Sequence, residues 1–266
     1  MERIETLAII LRAVPFQDRD RIVTALTADL GKVSAMARNA VQSRRFGGSL
    51  DPLVASQWHL TKKAGSASDL LHLDSTQPKR DFAGIRQDFD KFSIASFWSE
   101  LLLKLVPENE PLPDLFRLHA NALAALEESR SGPRNFALLS VYLGKFLQLN
   151  GTAPQLQACL GCGRSLEEIA ESSSTQIEVR AEAEAGGWSC RSCERQSGTA
   201  GFDHLKVATL FAFREALDHS IKQASELESL DRLNPDFFEF LKKFCAFHVP
   251  GFDLQSFKTL RFVSKK

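Results

Sequence analysis

Four of the five cysteines in this 266-residue chain stand as two pairs, Cys159-Leu-Gly-Cys162 and Cys190-Arg-Ser-Cys193, with 27 residues between them. A Cys-x-x-Cys turn directs two thiolates at one point, and two such turns complete a tetrahedral set of four soft ligands about 2.3 Å from a Zn²⁺ ion. Gly161 and Gly163 let the backbone fold tightly around that point. The spacer exceeds the usual zinc-ribbon interval, but residues 176–189 alternate as a hairpin does and would return the second pair to the first. A closed four-sulfur site leaves no position for substrate, so its expected role is structural. A redox dithiol or incidental cysteines are the alternatives. Cys245 lies on an apolar stripe with Phe240, Leu241, Phe244 and Phe247 and reads as a small buried hydrophobe.

The second chemical signal is basic. The whole chain balances 33 Lys+Arg against 33 Asp+Glu, yet residues 1–80 hold 12 basic and 8 acidic side chains. Residues 32–63 contain Lys32, Arg38, Arg44, Arg45, Lys62 and Lys63 against the single acid Asp51. Such a stripe attracts polyanions through phosphate contacts and counterion release, although a solvated basic face has the same composition. Catalytic motifs are missing: no phosphate-binding Gly-rich loop, no Gly-x-Gly-x-x-Gly, no His-Glu-x-x-His and no Gly-x-Ser-x-Gly occurs. The six histidines, His59, His72, His119, His204, His219 and His248, are scattered singly. Sequence motifs therefore give no support to an enzyme.

These residues need elements to position them. Residues 6–14, 21–27, 32–39, 53–60 and 70–75 read as five short strands, several alternating apolar with polar. In the third, Val33, Ala35 and Ala37 face one way and Lys32, Ser34, Met36 and Arg38 the other. Five strands in about 75 residues is the count of a small barrel of the OB type, with an SH3-like barrel as the alternative. From residue 81 the period becomes helical, with Phe82, Ile85, Phe89, Phe92, Ile94, Phe97, Trp98, Leu101, Leu102 and Leu105 on one long amphipathic helix ended by Pro107, Pro111 and Pro113. Further helices are expected at 114–128, 133–149, 203–220, 234–249 and 253–262, and the 20 phenylalanines are expected in their core. The fold class is thus α+β: an N-terminal five-stranded OB-type β-barrel over 1–80, then a mainly α-helical domain over 81–266 carrying a zinc-ribbon-like insert at 155–200. No apolar run approaches the roughly 18–20 residues of a membrane span, and Arg12 interrupts any signal-like core after Leu7. A cytoplasmic, nucleoid-associated location is expected.

Several stretches carry a resemblance: Thr6-Leu-Ala-Ile-Ile-Leu-Arg, Asp18-Arg-Asp-Arg-Ile-Val-Thr, Asp29-Leu-Gly-Lys-Val-Ser-Ala-Met-Ala-Arg-Asn-Ala and Ser43-Arg-Arg-Phe-Gly-Gly-Ser-Leu-Asp-Pro-Leu. With Leu115-Phe116, Asn150-Gly-Thr-Ala-Pro, the two cysteine pairs and Ser256-Phe-Lys-Thr-Leu, their order resembles the bacterial RecO family over nearly the whole chain. The resemblance implies a mediator of recombinational repair that binds single- and double-stranded DNA and anneals complementary strands. It further implies that the protein helps load RecA, with RecR, onto DNA coated by single-strand-binding protein. Carried onto this sequence, the expected phosphate contacts are Arg19, Arg21, Lys32, Arg38, Arg44 and Arg45. The family also docks the acidic tail of single-strand-binding protein on its helical domain. Arg134, Leu138 and Phe146 fall near one helix face and could receive it, though Leu138 and Phe146 read equally as core.

Phe16, Phe46 and Trp58 are the only aromatics of the first 80 residues, so binding should be chiefly electrostatic and sequence-independent. Phe46 either stacks on a base or packs under the barrel. Arg164, Arg191 and Arg195 beside the cysteines would suit a DNA contact there, whereas Glu167, Glu168 and Glu171 oppose one. The competing readings are a zinc-containing RNA-binding or transcription factor, and an enzyme, either nuclease or thiol oxidoreductase.

Overall fold

The computed structural model describes residues 2–46, 48–62, 70–129, 132–171, 177–193 and 204–260. The chain packs as two compact units, Met1–Glu127 and Glu128–Lys266. The first contains five strands, β1 (Glu2–Phe16), β2 (Asp20–Thr27), β3 (Gly31–Ala37), β4 (Ala55–Lys62) and β5 (Leu71–Arg80). They close into a barrel in the order β1-β2-β3-β5-β4, with β3 and β5 parallel and the other neighbours antiparallel. The 15-residue β1 closes it by pairing with β4 through its first half and β2 through its second, with a register shift between Ile10 and Arg12. Inside lie Ala8, Ile10, Val23, Ala25, Val33, Ala35, Ala37, Trp58, Leu60, Leu71 and Leu73. Four alanines leave the narrow interior room for the Trp58 indole. Phe46 and Leu50, from the segment after β3, complete this core. Phe46 is therefore packed under the barrel.

The buried run in β1 extends beyond that interior. Ile9 is fully buried yet outside the barrel core, because helix α2 (Phe89–Leu105) packs on β1. The single helix expected from residue 81 is broken. A one-turn helix α1 (Ala83–Arg86) follows Phe82, whose φ is 49°, and Asp88 restarts the chain as the α2 N-cap, its carboxylate accepting from the Asp90 and Lys91 amides. The restart moves the apolar phase to Ile94, Phe97, Trp98, Leu101 and Leu102, leaving Phe89 and Phe92 exposed. Helix α3 (Pro113–Glu128) completes the unit. The boundary expected at residue 80 thus separates sheet from helix, while the packing groups α1, α2 and nearly all of α3 with the barrel.

The second unit is built on α4 (Gly132–Leu149), buried over most of its circumference. Helices α6 (Val207–Asp218) and α8 (Pro235–His248) pack on it. Gly144 permits the closest approach, since a Cβ there would lie 2.3 Å from the Phe213 ring. Phe213 and Phe237 meet edge to face at 4.6 Å, and Phe136 and Phe238 at 5.3 Å, as expected of core phenylalanines. Asn234 caps α8 by accepting from the Phe237 amide, and Pro235 fills its first turn. Cys245 is buried in α8, and burial pushes its thiol up to about 12.

Between α4 and α6 come α5 (Leu166–Glu171) and strands β6 (Glu178–Glu182), β7 (Gly187–Ser189) and β8 (His204–Lys206), in sheet order β7-β6-β8. Strands β6 and β7 form the expected hairpin, although Gln176 lies outside the described residues. At β8 the sequence predicts the first turn of a helix. The strand pairs with β6 instead, and α6 begins only at Val207. A one-turn helix α7 (Ile221–Ala224) links α6 toward α8. The segment after α8 is a short 3-10 helix, Gln255–Thr259, and residues 261–262 of the expected last helix lie outside the described residues. No helix among the described residues is long and apolar enough to cross a membrane.

Candidate functional site

The two cysteine pairs meet. Each pair forms a tight turn, with the Gly163 amide donating to the Cys159 carbonyl and the Cys193 amide to the Cys190 carbonyl. The first turn is anchored to β7 by the Leu160 amide, which donates to the Trp188 carbonyl at 2.9 Å. The buried Trp188 indole fixes the approach to that turn by donating to the Leu156 carbonyl. Gly163 takes a left-handed φ of 74°, and a Cβ on Gly161 would lie 2.8 Å from the Cys193 sulfur. Gly161 is therefore required by how tightly the turns face each other, and Gly163 by its left-handed backbone.

The Sγ atoms of Cys159, Cys162, Cys190 and Cys193 all lie within 4.8 Å of one another, and Cys162 and Cys190 are 3.7 Å apart. Sulfurs on a tetrahedral ion at about 2.3 Å stand about 3.8 Å apart, so this donor set fits a metal ion. Its surroundings favour anionic sulfur at Cys162 and Cys190. The Cys190 amide donates to Cys159 Sγ at 3.2 Å, and the Arg164 guanidinium reaches Cys190 Sγ at 3.4 Å. Hydrogen bonds from the Arg164 backbone and side chain hold the Cys162 thiol down to about 6. The Cys193 thiol, hydrogen-bonded to Cys190 and its other sulfur neighbours, is pushed up to about 12.

The basic residues of the barrel divide by burial. The segment after β3 is tied to the β1–β2 turn, since the Val41 amide donates to the Arg19 carbonyl and the Asn39 amide to the Asp20 carboxylate. Arg45 Nη2 donates to the Arg38 carbonyl, and its guanidinium lies 5.5 Å from the Phe46 ring centre. Arg19, Arg38, Arg44 and Arg45 are exposed and drawn into one region by these ties. Arg21 is half-buried and shares Asp51 with Arg86 at 3.8 and 3.7 Å, which reduces its net attraction for an anion.

Lys32 departs from expectation. It alternates away from the barrel interior, as the pattern requires, but it lies under helix α2 and is only 5% exposed. Its ammonium donates to the Leu103 carbonyl at 2.6 Å at the C-terminal end of that helix, and burial lowers its pKa. It is removed from the phosphate contacts because its charge is already engaged. The tail-binding set is also corrected. Leu138 and Phe146 are core, and Arg134 is held by the Ser225 carbonyl at 2.9 Å and Asp231 at 3.3 Å, so the three form no open groove. Near the cysteines, Arg164 is turned onto sulfur, Glu167 pairs with Arg214 at 2.8 Å, and Arg195 lies outside the described residues.

One feature of the barrel had no sequence motif. A cleft of about 870 Å³ crosses the outer wall, lined by Arg3, Met36, Arg38, Arg45, His59, Thr61, His72 and Asp74 among others. Its histidines are 13 residues apart in sequence and are brought to one cleft by the strand register. Outward alternation on β4 and β5 was the sole signal that could have placed them together.

Residues 1–78 match the family model described as "Recombination protein O N terminal", and residues 86–257 match "Recombination protein O C terminal". The chain is 39% identical over 194 residues to the "DNA repair protein RecO" of Anaeromyxobacter sp. (strain K), covering 73% of this chain and 71% of that protein. It is 30% identical over 223 residues to the protein of the same name from Rhodopirellula baltica, covering 84% and 75%. It is 25% identical over 258 residues to the one from Desulfosudis oleivorans, covering 96% and 95%. With both halves matched in order, the chain belongs to the RecO family of DNA repair proteins.

Proposed function

We propose that the protein is a non-catalytic, DNA-binding recombination mediator, whose barrel is an OB fold and whose four cysteines hold a structural Zn²⁺. The observation that carries this reading is the gathering of exposed Arg19, Arg38, Arg44 and Arg45 by hydrogen bonds between two loops of the barrel. Four guanidiniums in one region suit phosphates on two strands at once. Neutralising backbone repulsion in this way is how a protein without a nucleotide cofactor accelerates annealing. Strand order β1-β2-β3-β5-β4 around a closed barrel supports the OB assignment. Phe46 and Trp58 are buried, so among the described aromatics of residues 1–80 only Phe16 is exposed. Contact with bases is then minor, and binding is expected to be independent of sequence.

Zinc suits four thiolates, and once bound it leaves no coordination position for chemistry. The module's work is to brace its own surroundings. We further propose that the helices engage RecR and single-strand-binding protein in loading RecA, with the tail site elsewhere than Arg134, Leu138 and Phe146. The test measures binding to a fluorescent single-stranded oligonucleotide across salt, then annealing to its complement in the same samples. A steep loss of affinity with salt together with accelerated annealing, without nucleotide and without cleavage in Mg²⁺, is the expected result. A preference for RNA or for one base sequence would favour a transcription or RNA-binding factor.

A further inference from the structure

The cleft on the barrel wall contains residues that the arginine cluster does not explain. Its floor is a row across four neighbouring strands. Glu5 pairs in register with His59, Arg3 with Thr61, Thr61 with His72, and His72 with Met36, two residues before Arg38. On β4, Trp58 and Leu60 point into the barrel, so His59 and Thr61 face outward. On β5, Leu71 and Leu73 point inward and His72 and Asp74 outward. Arg45 closes one side from the segment after β3, bonded to the Arg38 carbonyl.

Among the described residues that line the cleft, the charged groups beside the two imidazoles are Arg3, Arg38, Arg45, Glu5 and Asp74. With both imidazoles neutral these described residues sum to one net positive charge, and with both protonated to three. Asp74 already accepts from the Thr61 hydroxyl, and Glu5 lies 3.2 Å from His59 Nδ1. A protonated His59 can therefore give its Nδ1–H to Glu5 and still offer Nε2–H to an anion, because both ring nitrogens of the cation donate. Protonation of either imidazole adds a positive charge to the cleft, so acid strengthens its attraction for an anion.

We propose that this cleft holds the phosphodiester backbone of single-stranded DNA, with His59 and His72 as titratable phosphate contacts that strengthen binding as pH falls below neutrality. The proposal rests on the DNA-binding reading above and adds a second contact region to it. Arg38 and Arg45 belong to both regions, which makes the strand's path continuous from the loop arginines onto the wall.

The full-length protein is titrated against a fluorescent oligothymidine at several salt concentrations, at about pH 6 and about pH 8. Each added phosphate contact on a single strand steepens the slope of log affinity against log salt by about 0.7. Two protonated histidines are therefore expected to steepen it by about one unit or more at the lower pH. His59→Gln with His72→Gln should lose most of that difference, whereas Arg44→Gln should weaken binding at both pH values and keep it. The single histidine variants, each losing part of the difference, serve if thermal unfolding shows the double variant misfolded. Equal slopes at both pH values, or a double variant that retains the full pH effect, overturns the proposal while leaving the DNA-binding reading intact. No binding at either pH overturns both.

Discussion

The barrel and the cysteine module are both small sheets, but they are held together by different physics. The barrel closes on itself, so every strand has two neighbours, and it buries a continuous core around Trp58, Phe46 and Leu60. The module has a three-stranded sheet and a sparse apolar set near the cysteines, chiefly Leu156, Leu166, Ile169, Val179 and Trp188. Two tight turns there are pressed sulfur against sulfur. The first region is stabilised by area removed from water, whereas the second gathers four thiols that could hold a metal ion. The difference teaches where each region is fragile: the barrel at its packing, the module at its ligands.

The sharpest break is expected from ligand loss. Cys159→Ser, or prolonged treatment with a strong chelator, should cost the second unit about 3 kcal/mol or more and release the Trp188 environment, as read by near-UV circular dichroism and thermal unfolding. If the variant melts like the parent, the module is stabilised by its sheet, and the contrast between the two regions fails. In the barrel, Gly31→Ala should cost about 2–4 kcal/mol in urea denaturation. Its φ is 72°, and the new Cβ would fall 1.7 Å from the Glu110 carbonyl oxygen. Lys32→Ala should cost about 2–3 kcal/mol by leaving the Leu103 carbonyl without its charged donor, while the salt dependence of DNA binding stays that of the parent.

A milder probe of the first unit is acid. His119 is fully buried in α3, and desolvation holds its imidazole down to about 3 from an ordinary value of 6.5. Between those values the unfolded chain takes up a proton that the folded chain refuses. The contribution is complete above about 6.5 and is lost as pH falls, by up to about 1.4 kcal/mol per pH unit. His119→Leu should flatten this part of the stability curve. The smallest expected effect on stability, within about 0.5 kcal/mol, belongs to Arg44→Gln with Arg45→Gln, because both side chains are exposed. The same pair should lower the salt slope of single-strand binding by about 1.4 for every sequence alike, and loss for one sequence only would count against backbone contact.

How far the sequence could be read follows the same division. Cysteine spacing identifies ligands because coordination is local in the chain, and the five barrel strands are legible because alternation is local too. What escaped depended on a partner distant in sequence. Lys32 alternates as a surface residue should, and only the end of α2, some 70 positions later, turns that face into an interior. His204 to Lys206 has a helical continuation on one side and no strand signature of its own, and β6 recruits it. Asp88 interrupts an apolar stripe that looks continuous by composition, because a capping carboxylate satisfies backbone amides that an unbroken helix would have bonded. Arg134 with Leu138 resembles a docking site until Ser225 and Asp231 occupy the guanidinium.

The Lys32 contact also bears on how this protein can be divided. Besides the ammonium bond to Leu103, the Lys32 carbonyl accepts from the Asn109 amide, and Gly31 is pressed against Glu110. A fragment ending after β5 would strip one buried cation of its acceptors and lay Ile9 open to water. The barrel strands are therefore expected to reach their final shape only when the chain as far as residue 110 has left the ribosome. The unit that folds autonomously is then larger than the sheet that gives it its name.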